Sequence, residues 1–188
     1  QEKYGETFVV DSYQGTELTG EWYSAQAYAK ENPDMLFSLT VDQEGRLADT
    51  YVQHRVAQKM TEEMEKLVKE TDGGFFLYSV VTTMDTISAD AEITMDAFDA
   101  ENPTNEYIIY LYYDQKRYGM DDWTSILAEA AKENSTRKGF FVLEGVSEDM
   151  LQEVQTFTET NDVMLSEYKT MDDPVSIRFD GGVLLENR

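Results

Sequence analysis

Three features of this sequence predict an α+β fold with mixed sheets and helices. Tyr107-Ile108-Ile109-Tyr110-Leu111-Tyr112-Tyr113 is an unbroken run of β-formers with apolar residues on both faces, which calls for an interior strand covered on both sides by other layers. Val52, Val56, Met60, Met64 and Leu67 recur at helical spacing and give one helix an apolar stripe. Val175-Ser176-Ile177-Arg178-Phe179 and Val183-Leu184-Leu185 flank Asp180-Gly181-Gly182, a hairpin signal that closes the chain with two antiparallel strands. The expected architecture is an N-terminal β-meander plus helix over residues 1–72. A βαβαβα unit with a terminal hairpin follows over residues 73–188, and one continuous domain is the alternative.

In order, Gln1-Glu2-Lys3-Tyr4-Gly5 reads as the last turn of a helix stopped by Gly5, so an upstream segment is expected. Phe8-Val9-Val10, Glu21 to Ala29, and Met35 to Val41 are three strands, with Gly15 and Gly20 turning the chain between the first two. The striped helix opens at Asp49-Thr50-Tyr51, stops at Asp72-Gly73-Gly74, and is expected to lie across this meander. Phe75 to Thr82 is a strand. Ala91, Met95 and Phe98 then fit a short helix after Ser88, preferred over a strand through Ile93, Met95 and Ala97 because β-branched residues are few.

Beyond the central strand, Trp123, Ile126, Leu127, Ala130 and Ala131 make a helical stripe, and Gly139 to Glu144 is a strand. Ser147 caps a helix with Leu151, Val154 and Phe157 inward. The alternation of strand and helix predicts parallel crossovers before the hairpin. Glu31-Asn32-Pro33 and Glu101-Asn102-Pro103 each precede a strand, an Asp-Gln pair and an acidic-to-aromatic helix start. Either an internal duplication or a chance repetition of turn, strand, turn and helix accounts for this.

Composition narrows the function. With 41% hydrophobic and 12% aromatic residues over 188 positions, the chain can bury a real core. Its net charge of −23 argues against nucleic acid and against anionic membrane, both of which need clustered Lys and Arg. The absence of cysteine removes disulfides and thiolate chemistry. One histidine, His54, lies off the helical stripe and reads as a surface residue, and a lone histidine makes no zinc site. No Gly-x-Ser-x-Gly and no glycine-rich phosphate loop is present.

No cofactor and no metal ligand set is therefore expected. The span between Lys69 and Lys116 contains no Lys or Arg and many acids, which reads as a solvated face, a cation site or a docking face. Trp22 and Trp123 are expected to pack in the core. Lys116, Arg117 and Tyr118 follow the central strand, at the end where crossover sheets place ligands, and are the expected pocket rim.

Lys3-Tyr4-Gly5-Glu6-Thr7-Phe8-Val9-Val10, with Asn32-Pro33, Phe37 and Asp49-Thr50-Tyr51, resembles the N-terminal signature Lys-Tyr-Gly-x-x-Phe of uncharacterised membrane-tethered, lipoprotein-like proteins of Gram-positive Firmicutes. The resemblance implies an extracytoplasmic domain carried on a membrane anchor, and no activity comes with it. The resulting expectation is a non-enzymatic module that binds a protein or small-molecule ligand at the cell surface and meets membrane only through the anchor. The alternative is a cell-envelope hydrolase using paired carboxylates.

Overall fold

The computed structural model describes residues 4–15, 22–68, 73–83, 92–160 and 174–185, which form nine strands and four helices in an α+β arrangement with two sheets. The first sheet has the order β1 (Phe8–Gly15), β2 (Trp22–Ala29), β3 (Asn32–Asp42), β4 (Leu47–Asp49), all antiparallel. Helix α1 (Tyr51–Val68) leads to the second sheet, β5 (Phe75–Thr82), β6 (Glu106–Asp114), β7 (Lys138–Val146), β8 (Val175–Asp180) and β9 (Val183–Leu185), in that spatial order. Between β5 and β6 lies α2 (Met95–Glu101), between β6 and β7 α3 (Met120–Glu133), and between β7 and β8 α4 (Glu148–Thr160).

Local chemistry accounts for the element boundaries. The Tyr51 amide donates to Asp49 Oδ1 at 3.1 Å, so the acidic cap read from the sequence starts α1. Thr94 Oγ1 accepts from the Ala97 amide, so the stretch with two readings becomes helix α2, with Met95 and Phe98 buried; Ala91 and Ser88 lie outside the described residues. Ser147 Oγ accepts from the Met150 amide to start α4. Gly181 and Gly182 take φ of 58° and 83°, the two positive values that a two-residue hairpin with right-handed twist requires. Leu47 to Asp49, which the sequence gives no reason to separate from the approach to α1, forms the extra strand β4.

Two expectations change. The second sheet has one parallel pair, β6 with β7, while β5–β6, β7–β8 and β8–β9 are antiparallel. Helix α2 has seven residues and spans about 10 Å, too short to carry the chain back along a strand of eight or nine. The chain therefore leaves β5 at Thr82 and enters β6 at Glu106, its neighbour at the same end. Helix α3, with fourteen residues, is long enough for the return that a parallel pair needs.

The placement of α1 also differs. Its stripe of Val52, Val56, Met60 and Met64 packs into the core of the second sheet with Leu77, Ile109, Leu111 and Phe141, with Val68 buried at its end and the expected Leu67 only partly buried, and does not lie across the meander. Tyr51 alone among its buried residues joins the first sheet's core of Ala27, Ala29 and Phe37. The reason is area: one face of the second sheet presents Leu77, Val81, Tyr107, Ile109, Leu111, Tyr113, Phe141 and Phe179, which needs α1 and α3 together as cover. The other face holds Tyr112 and the partly buried Phe76, Tyr78 and Tyr110 against Met150, Leu151 and Val154 of α4. β6 is thus interior and covered on both faces, with Ile109 buried and Ile108 half-buried.

Candidate functional site

Where the two sheets meet, α1 forms the floor of a cleft walled by β3 on one side and β5 on the other. A cavity of about 200 Å³ is lined by Ser38, Thr50, Gln53, His54, Ala57 and Tyr78 to Val81. A second, of about 260 Å³, is lined by Asn32, Met35, His54, Ala57, Gln58, Thr61 and Phe76 to Ser79. The two share His54, Ala57, Tyr78 and Ser79 and so form one continuous trough.

The cleft follows from residue spacing. His54, Ala57, Gln58 and Thr61 succeed one another at helical steps beside the apolar stripe of α1, and their short or polar side chains leave open what larger apolar ones would fill. In β5, Leu77, Ser79 and Val81 share the core-facing side of the strand, so Ser79 places a small hydroxyl where its neighbours place aliphatic groups. Ser79 is 2% exposed, and its Oγ has no hydrogen-bond partner among the described residues. Such an atom costs free energy until something bonds to it. On the β3 side, Thr50 holds the cleft wall, its amide donating to the Ser38 carbonyl at 3.1 Å while its Oγ1 accepts from the Ser38 amide at 2.9 Å.

In a chain with 38 acidic residues, none of the described lining residues is Asp or Glu. The paired-carboxylate reaction needs two acids, and the described lining residues include none. What the lining offers is an apolar trough with a few polar groups, the usual make-up of a binding site.

The sequence-predicted rim lies elsewhere. Arg117 and Tyr118 line a separate hollow of about 220 Å³ with Asp122, Trp123 and Ile126, and Lys116 is exposed beside it. The Lys116 amide donates to Asp114 Oδ1, and the Tyr118 hydroxyl donates to the Gly73 carbonyl at 2.9 Å. Tyr118 packs on Trp123 with ring centres 5.2 Å apart, and Arg117 lies over Gly74, where an added Cβ would come within 2.9 Å of its guanidinium. Trp123 is buried as expected, against Phe75 and Tyr113 as well; the Trp22 side chain is outside the described residues.

At the opposite end of β6, Asp99 accepts from Arg137 Nε at 3.0 Å, Asn105 Nδ2 at 3.0 Å and the Tyr107 hydroxyl at 2.8 Å. Burial, then the neighbouring Asp99 carboxylate, pushes the Tyr107 phenol above its ordinary range, so it stays a neutral donor. These charges answer one another and brace α2 against β6 and β7. No group of three or more His, Asp or Glu among the described residues is placed to hold a metal ion.

No family model and no curated protein matches the sequence. Among solved structures, the fold is similar to that of a DUF5037 family protein from Ruminococcus gnavus ATCC 29149. The TM-score is 0.66 over 100% of this chain and 91% of that one, at 13% identity. The likeness is one of fold. His54 and Ser79 were both open to sequence reading, the first as a member of a second helical row and the second as the polar residue among Leu77, Ser79 and Val81. What the sequence does not show is that α1 and β5 bring them to one trough.

Proposed function

We propose that this chain is the non-enzymatic, extracytoplasmic binding domain of a membrane-anchored protein, and that its ligand or partner sits in the cleft between β3, α1 and β5. The observation that carries the reading is the trough itself, apolar in the main and edged by His54, Gln53 and Gln58; among the described residues it has no carboxylate and no partner for the Ser79 hydroxyl. A cell-envelope hydrolase using paired carboxylates gains no support from such a lining. The anchor and the location rest on the Lys3 to Val10 signature. No helix among the described residues is long and apolar enough to cross a membrane, so the proposed anchor belongs outside them.

The test is amide chemical-shift mapping with a panel of small apolar molecules bearing one polar group and of short peptides. Shifts should gather at residues 53–61 and 76–81 and vanish in Gln58→Trp, which fills the trough from an exposed helical position. Shifts confined to the Arg117 to Trp123 hollow, or absent for the whole panel, would reject the cleft. Protease accessibility on intact cells tests the location, and resistance that persists until the cells are lysed would reject it.

A further inference from the structure

Among the described residues, no strand pairs with the main chain of β5 along the side that borders the cleft. The Asp114 amide donates to the Gly74 carbonyl at 2.8 Å, which sets the phase of the β5–β6 ladder. With Phe75 opposite Tyr113 and Thr82 opposite Glu106, Phe76, Tyr78 and Val80 exchange their main-chain bonds with β6. Leu77, Ser79 and Val81 therefore turn their N–H and C=O groups the other way. β5 is the last strand of its sheet, and among the described residues nothing bonds to those groups. All three residues are buried, at 4%, 2% and 8% exposure, so their main-chain groups resemble a ladder waiting for its next strand more than a wetted edge.

The facing wall has the same character. β4 pairs with β3 only from Leu39 to Val41, and Thr50 carries the bonding one step further to Ser38. Among the described residues, the half of β3 before Ser38 has no strand on that side, and its Asn32 and Met35 line the cleft. The trough is thus a slot with α1 beneath it and an incompletely paired strand on either side. From Leu77 to Val81 the exposed ladder runs about 13 Å, the span of five extended residues.

We infer that the cleft takes an extended, positively charged peptide, which adds to the edge of β5 as a sixth strand. This rests on the cleft being the binding site and names the class of its ligand. Alternating N–H and C=O groups are matched by another extended main chain and by little else. The peptide's charge follows from the chain's −23, which draws a cation toward the molecule, while the described lining has no carboxylate to be stripped of water when a side chain enters. The Ser79 hydroxyl gains a bonding partner within the same step.

The probe is an eight-residue acetylated and amidated peptide alternating Lys with Thr and Val, compared with the same peptide N-methylated at every second residue. Both carry identical charge, and only the first keeps a full set of main-chain donors. We expect the unmethylated peptide to bind at least tenfold more tightly by fluorescence anisotropy, and to slow hydrogen exchange at the Leu77, Ser79 and Val81 amides. Equal affinities would mean charge alone and overturn the inference. Slow exchange at these three amides in the free protein would also overturn it, because the edge would then be covered already, by this chain or by a second copy. If small molecules map to the cleft while peptide methylation makes no difference, the strand-addition inference falls and the binding-domain reading stands. If nothing maps to the cleft, both fall.

Discussion

The two sheets of this protein are built from similar residues and hold together in different ways. The second is buried on both faces, by α1 and α3 on one side and α4 on the other. The first has one covered face, where Tyr4, Phe8, Phe37 and Tyr51 form an aromatic cluster with ring centres about 5 to 6 Å apart. The cover is partial: Tyr13 and Tyr23, further along the same face, are 83% and 65% exposed. The helix that joins them gives its stripe to the second sheet and one ring to the first. A shared helix with unequal loyalties leaves a seam, and the seam is the cleft.

The hardest test of the second sheet is Gly139. A Cβ there would stand 1.9 Å from the Tyr107 carbonyl oxygen, a main-chain atom fixed in the β6–β7 ladder. Gly139→Val should cost more than about 4 kcal/mol or prevent folding, as read by urea unfolding or by loss of near-ultraviolet dichroism. A variant of near wild-type stability would mean that the parallel pair is not formed as described.

Phe37→Ala puts the first sheet to the same question. Removing a fully buried ring from so small a core should cost about 3 kcal/mol. The comparison is sharpened by where the loss appears. Amide exchange should quicken in β1 to β3 and stay slow in β6 and β7, because few buried side chains tie the sheets together. Uniform quickening would show one cooperative unit, and the contrast drawn above would not hold.

Asp99→Ala removes the acceptor shared by Arg137, Asn105 and Tyr107. With Arg137 largely buried and left to Asp96 and Asn134, and with Tyr107 and Asn105 losing their acceptor, the loss should be about 2 kcal/mol in thermal or urea unfolding. An effect below about 0.5 kcal/mol would place the network among ordinary surface pairs.

How much of this the sequence displays depends on range. The Asp180-Gly181-Gly182 turn, the Ser147 cap and the two-faced β6 are legible because each is decided by residues within a few positions of one another. The strand order is not. Whether the run after Thr82 returns to the same end of the sheet depends on how long α2 proves to be, and residues Ala91 to Ala97 supported helix and strand alike. The destination of α1 is set by which sheet has more apolar area to cover, a comparison no local pattern contains. The Lys116 to Tyr118 rim follows from a rule about parallel sheets, and Arg117 and Tyr118 line a hollow beyond the end of β6, a member of the one parallel pair. The cleft is the furthest from local pattern, since it depends on an edge left unpaired.

The last and smallest effect concerns Asp42, in the turn from β3 to β4. Burial acts to raise its pKa, but the main chain and guanidinium of Arg46 and the amide of Glu44 all donate to it, and the net result lies below the ordinary aspartate value. A depressed folded value means the ionised form favours the native state. Its contribution is present above the unfolded value of about 3.9 and is lost as pH falls through the folded one. Asp42→Asn, which keeps an acceptor and removes the charge, should lower the urea midpoint at pH 6, and the gap should close as pH drops below about 4. Since Arg46 is mostly exposed, added salt should narrow the gap at pH 6 as well. A gap that survives at pH 2.5 would assign the effect to the shape of the turn instead of its charge. The first sheet would then owe its least protected corner to backbone geometry alone.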